Sequence, residues 1–192
     1  FHRLNIWLYP ILIKTGKTGK GGAVSYGKIK SQIQTKCKED QSAWVTMMFD
    51  LYGLPSDIPG LGFEDSDPFI KAKHILAAIE ADINQANFIP NIIVHEFEGL
   101  LFSNTQIFRH YFDLPDIGDK LAKIREDFES PEHIDNGQHT APSKRILAIC
   151  KEYDKILHGS LIAIEIGIDR IRKECSFFNH WMTRLENLSP IP

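Results

Sequence analysis

Apolar and polar positions change period several times along this chain, and the changes predict strands alternating with helices. LNIWLYPILI, residues 4–13, is a β-rich apolar run that Pro10 breaks or pushes to a sheet edge. KTGKTGKGG, residues 14–22, reads as a flexible loop. Tyr26, Ile29, Ile33 and Cys37 then recur at helical spacing, with lysines on the other faces. WVTMMF (44–49) and FIPNIIV (88–94) are short, continuous apolar runs, the pattern of strands buried on both faces. Between them, DLYGLPSDIPGLG (50–62) is a Gly/Pro-rich loop. Asp67-Pro68 is a helix start with proline at the first helical position. Ala72, Ile75, Leu76, Ile79 and Ile83 mark the buried stripe of that helix. Residues 113–138 are polar and acidic and predict an exposed insert of one helix and a loop. TAPSKRILAIC resumes a helix with Pro142 in its first turn. The closing helices carry Phe178, Trp181, Leu185 and Leu188, a stripe that reads as core packing. The expected fold is α/β, a largely parallel sheet flanked by helices with a helical C-terminal part, in a single domain over 1–192. In such sheets the functional loops leave the carboxyl ends of the strands.

Composition narrows the class. The chain has 192 residues, 43% hydrophobic and 24% charged, enough for one sizeable core. No run approaches the ~18 apolar residues of a membrane span. Cys37, Cys150 and Cys175 are odd in number, widely spaced and outside any CxxC, which favours a reduced cytoplasmic protein over a disulfide framework or a zinc site. The chain opens on Phe1 with no signal-peptide pattern, and a preceding N-terminal segment is expected.

Charge is unevenly placed. Residues 1–38 hold Arg3 and seven lysines and no acid, so all 25 Asp and Glu lie beyond them. A basic arm beside an acidic body suits a phosphate-rich ligand at one end and metal-binding carboxylates at the other. Lys14, Lys17, Lys20 and Lys28 are the candidate nucleic-acid contacts; a solvated lysine-rich loop and helix is the plain alternative. The Gly/Lys loop is not a Walker motif, because the glycine required five residues before Gly16 falls on Ile11.

Three groups of residues could carry chemistry. Asp50 ends the apolar run WVTMMF, and a carboxylate at a dry strand end is costly unless paired, hydrogen-bonded or bound to a cation. Asp57 follows across Gly53 and Pro55, so both acids could converge on one Mg²⁺ or Mn²⁺; both could equally cap turns and helices. His95-Glu96-Phe97-Glu98 follows the second run, and an extended backbone there would present Glu96 and Glu98 on one face. His95 stands as a ligand, a general base or a satisfied polar group. Glu96 and Glu98 could instead be the solvated acids of a helix start. HEFEG is not HExxH, since position 99 is Gly99. Finally, Lys144 and Arg145 sit in the first turn of a helix, against its dipole, which suggests a phosphate or a carboxylate cluster nearby; ordinary surface charge is the alternative. No GxSxG and no strand-linked GxGxxG is present.

TMMFDLYGLPSDIPG, FIPNIIVHEFEGLLFS, TAPSKRI and IAIEIGIDRIRKECSFFNHWMTRLENL together resemble the domain of unknown function DUF4276, over nearly the whole chain. That family is similar to the Toprim-like, Rossmann-like domains of OLD-type nucleases. The resemblance implies a Mg²⁺- or Mn²⁺-dependent, phosphodiester-cleaving hydrolase of a bacterial anti-phage defence system, acting on DNA or RNA beside an ABC- or AAA-type ATPase, within a complex that could be oligomeric. It implies catalytic roles for Asp50, Asp57, Glu96, Glu98 and Lys144, with the four acids as metal ligands and Arg145 with the lysines on nucleic acid. The family's opening Glu motif is not in these residues, and Tyr52 replaces the second acid of its DxD pair, leaving Asp57 to substitute. The alternative is a non-catalytic subunit of the same ATPase complex.

Overall fold

The computed structural model describes residues 6–13, 25–135, 137 and 139–191. The protein is mixed α/β, mostly helical, with short strands in two small sheets. It forms two compact units: residues 1–49, 53–92 and 183–192 in the first, 50–52 and 93–182 in the second.

In the first unit, α1 spans Tyr26–Glu39 and α2 spans Pro68–Ile83. Tyr26, Ile29, Ile33 and Cys37 are the buried face of α1, as their spacing predicts. Ala72, Ile75, Ile79 and Ile83 are the buried face of α2. Asp67 caps α2 by accepting the Phe69 N–H at 2.8 Å, and Asn84 ends it in the left-handed conformation (φ 49°). The strands are shorter than the apolar runs that announce them. WVTMMF yields β1 (Val45–Thr46) and β2 (Phe49–Asp50), because the chain turns Met48 outward between them. FIPNIIV yields β3 (Phe88–Ile89) and β4 (Ile92–Ile93), interrupted at Pro90, which has no N–H for a ladder. β1 and β3 are parallel, with Val45 opposite Phe88 and Thr46 opposite Ile89; β2 pairs with β4. The Asn87 side chain donates to the carbonyls of Cys37 (3.0 Å) and Ala43 (2.9 Å), tying the end of α1 to the entry of β1. Residues 6–13 form no strand. Trp7, Leu8, Tyr9, Ile11 and Leu12 are exposed, as expected where Pro10 interrupts a run of would-be ladder donors.

The second unit is helical. The four-residue α3 (Glu98–Leu101) leads into a 3₁₀ stretch over Phe102–His110, then α4 (Ile117–Glu126), a 3₁₀ turn at Pro131–His133, α5 (Pro142–Ile149), α6 (Leu157–Ile166) and α7 (Ile168–Glu174). α8 (Ser176–Glu186) begins in this unit and ends in the first. Leu101, Phe102, Phe108, Ile117, Leu121, Ile134, Ile146 and Ile162 are among the core side chains here. The 113–138 region is therefore not a wholly exposed insert: Ile117, Leu121 and Ile134 are fully buried. Its polar residues cover the outward face of α4, an amphipathic division that its acidic composition masks.

Candidate functional site

The site lies in the second unit, where β4 gives way to α3. His95 adopts a left-handed backbone (φ 67°), a conformation that costs about 1 kcal/mol for a residue with a Cβ. The chain therefore turns instead of continuing extended. Phe97 is already helical, and Glu98 opens α3. The expected sharing of a strand face by Glu96 and Glu98 is replaced by a turn that buries both: Glu96 is 8% exposed and Glu98 3%. They form a helix start, as one reading had it, but not a solvated one.

Each acid has a different partner. Asp50 Oδ1 accepts the Phe97 N–H at 3.1 Å, bracing the turn. Glu96 Oε2 accepts the Ser143 N–H at 3.0 Å. Ala141, at the N-cap of α5, offers no capping side chain, so the glutamate satisfies the orphan amide and adds negative charge at the dipole's positive end. Lys155 Nζ lies 3.0 Å from Glu98 Oε1 and 3.7 Å from Glu96 Oε1. Burial, then the charge of Glu98, push the Asp50 carboxyl up to about 6; Glu96 adds to the rise, while the Phe97 N–H and Lys155 oppose it. Burial works against the Lys155 ammonium, but the bond to Glu98 and the fields of Glu98, Glu96 and Asp50 outweigh it, so its pKa is raised. Tyr153 completes the group. Its ring is buried against Phe108 and Phe112, and burial, with the charges of Glu98, Asp154 and Glu96, keeps the phenol protonated.

The structure thus brings together Asp50, Glu96 and Glu98, with His95 buried beside them in sequence. Asp57 belongs to the first unit, where its Oδ1 accepts the Tyr26 N–H at 2.8 Å and starts α1. Lys144 is exposed on α5. Arg145 donates to the Thr140 carbonyl, pairs with Asp135 at 2.9 Å and stacks on Phe128. Lys28 is exposed on α1, while Lys14, Lys17 and Lys20 lie outside the described residues. The lysine at the acids is Lys155, which sequence reasoning missed together with Tyr153. Nothing in CKEYDK distinguishes these two, because Glu96 and Glu98 lie more than 50 residues before Lys155, and Phe108 and Phe112 more than 40 before Tyr153.

The donors are all oxygen, the chemistry that suits a hard divalent cation. Among the described residues, however, no three His, Cys, Asp or Glu side chains stand in metal-ligand arrangement. The carboxylates are instead spread between two backbone amides and one ammonium.

The fold and this site define a mixed α/β protein with a buried acid–lysine cluster at a strand-to-helix turn. The family model of the domain of unknown function DUF4276 matches residues 1–186, and the chain belongs to that family. No curated protein and no solved structure matches it.

Proposed function

We propose that the chain is a Toprim-like, divalent-metal-dependent nuclease of an anti-phage defence system, acting with an ABC- or AAA-type ATPase, whose chemistry is centred on Asp50, Glu96 and Glu98. The observation that carries this reading is three carboxylates within one another's fields at a strand end, with Asp50 raised to about 6 by burial and by Glu98. The Phe97 and Ser143 amides and Lys155 offset only part of the cost of this cluster, since Asp50 stays raised, and a dication would offset more. Asp50, Glu96 and Glu98 would hold Mg²⁺ or Mn²⁺. When bound, the ion would neutralise charge on a phosphodiester and acidify a water. The chain's own residues do the rest. The Phe97 N–H orients Asp50, the Ser143 N–H orients Glu96, and Lys155 brings a positive charge to the place where phosphoryl oxygens become more negative. Lys155 takes the part first assigned to Lys144. Lys28 supplies basic surface on α1 for a nucleic-acid backbone.

With Mg²⁺ or Mn²⁺, the full native protein is expected to nick supercoiled plasmid or cut RNA, and Asp50→Ala to abolish this. Equal cutting by wild type and Asp50→Ala, or none by either in the presence of the ATPase, overturns the proposal.

A second reading has its own support. Lys155 already compensates Glu98 and Glu96 without a metal, and Ile156, Leu157 and Ile164 expose apolar surface at α6. A non-catalytic subunit that binds its ATPase would have both features. Calorimetry in which the native protein takes up no Mn²⁺ decides for this reading.

A further inference from the structure

We propose that the outer face of α6 is an interface between two copies of this chain, which pair antiparallel through their α6 helices about a two-fold axis. The inference does not rest on the nuclease reading. It gives to a second copy the face that the non-catalytic reading gives to an ATPase.

The first observation is an outer face almost without charge. α1 and α4 turn lysines to solvent, among them Lys28, Lys120 and Lys123. α6 reads LHGSLIAIEI, with no lysine or arginine and a single acid, Glu165. Gly159, Ile162 and Ile166 are its buried side. Ile156, Leu157, Leu161 and Ile164 are exposed, and Ile156 already has helical dihedrals. At about 100° per residue these four and Ser160 share one side of the helix. A helix that is apolar all round is expected to be covered on both sides. The second observation is that the polar groups of this face are already satisfied. Ser160 Oγ donates to the Ile156 carbonyl at 2.7 Å. Glu165, at the edge, pairs with His110 of its own chain. Covering the face therefore strands no hydroxyl and no unpaired charge.

Charge, area and symmetry together select the occupant. A nucleic acid or a charged peptide finds no opposite charge on α6, so the partner must present an apolar, uncharged surface. The exposed parts of Ile156, Leu157, Leu161 and Ile164 amount to about two and a half whole side chains, little for a stable interface when only one partner supplies apolar surface. A second copy supplies the same surface again, and in an isologous pair every contact occurs twice. The spacing of the face is also self-complementary. An antiparallel crossing about an axis at Ser160 and Leu161 sets Leu157 of one copy against Ile164 of the other, and Ile164 against Leu157. Two equal layers then flank the axis. Ser160, the smallest side chain of the face, lets the two backbones approach where they cross.

The test uses the full native chain. Sedimentation equilibrium over roughly 1–100 μM is expected to show monomer and dimer in exchange, the range suited to a small apolar interface. Ile164→Lys enters a two-fold interface twice and should weaken dimerisation by at least about tenfold. Engineered disulfides report the axis independently of that variant. Cys37, Cys150 and Cys175 are all buried, so the native protein has no exposed thiol to cross-link. Ser160→Cys, at the axis, is expected to cross-link to its own copy under mild oxidation. Lys123→Cys, exposed on α4, measures the rate of chance collision. A native protein that stays monomeric across the range overturns the proposal, and loss of ATPase binding by Ile164→Lys would then give the face to the ATPase. A dimer indifferent to Ile164→Lys overturns it as well, and so does Ser160→Cys that cross-links no faster than Lys123→Cys.

Discussion

Asp50 stands where burial, two neighbouring acids and one ammonium meet, and its titration should be visible in the stability of the protein. Its carboxyl is raised from 3.8 to about 6 in the folded state, so the native protein keeps this proton to higher pH than the unfolded chain does. The contribution is fully present below about pH 4 and is lost as pH rises through about 6. Allowing for partial exposure, it amounts to roughly 2 kcal/mol. Asp50→Asn should flatten the pH dependence of the denaturation midpoint across that window, and an unchanged slope would mean that Asp50 is better solvated than the structure has it. At this scale the sequence revealed acids but not their partners. Asp50 was legible because a carboxylate ends an apolar run, and Glu96 and Glu98 because they follow another. Lys155 and Tyr153 were not legible, since their place depends on how α5 and α6 return to α3, and no short spacing encodes that return.

At the scale of elements, helix starts are where the local pattern and the structure part company. Asp67-Pro68 announces α2, and Asp67 caps it from the adjoining position. α1 is different: Ser25 precedes it but makes no side-chain cap, and Asp57 accepts the Tyr26 N–H instead. This bond gives Asp57 a role that competes with metal binding. Asp57→Ala should cost about 1 kcal/mol in denaturant unfolding, the usual worth of a cap, and leave Mn²⁺ affinity unchanged. A large fall in Mn²⁺ uptake with little loss of stability would return Asp57 to the proposed set of metal ligands. The stripes of α1 and α2 were readable because burial on one face writes a period of 3.6 into the sequence. The strands were readable as apolar runs but not in length, because Met48 and Pro90 each end a ladder after two residues. The turn at HEFE was not readable. Histidine is tolerated in the left-handed region, but no residue there demands it.

At the scale of the molecule, the α/β class followed from the alternation of runs and stripes, and the division into two compact units did not: the chain passes between them at 49/50, 52/53, 92/93 and 182/183, and only the first two of these fall at a Gly/Pro-rich stretch. Among the described residues, no helix is long and apolar enough to cross a membrane. α6 nevertheless has apolar side chains on both faces: Ile162 and Ile166 are buried, while Leu157 is 57% and Ile164 76% exposed. Exposed apolar surface of this kind promotes association. Ile164→Lys should reduce concentration-dependent light scattering and change unfolding stability by no more than about 0.5 kcal/mol. A loss well beyond that would mean that Ile164 packs within the fold.

Three helix beginnings share a further property. The carboxylate at α1 comes from 31 residues away, the one at α5 from 47, and Glu132 accepts the Phe177 and Phe178 N–H groups of α8 from 45 and 46 residues away. None of these helices carries its anchoring acid within its own peptide. Each N-terminal turn can be secured only after a long loop has closed, so helix formation and long-range docking become a single event. Folding should accordingly be slower than helical content alone would suggest, with the first turns of α1, α5 and α8 among the last backbone segments to gain protection from exchange with solvent.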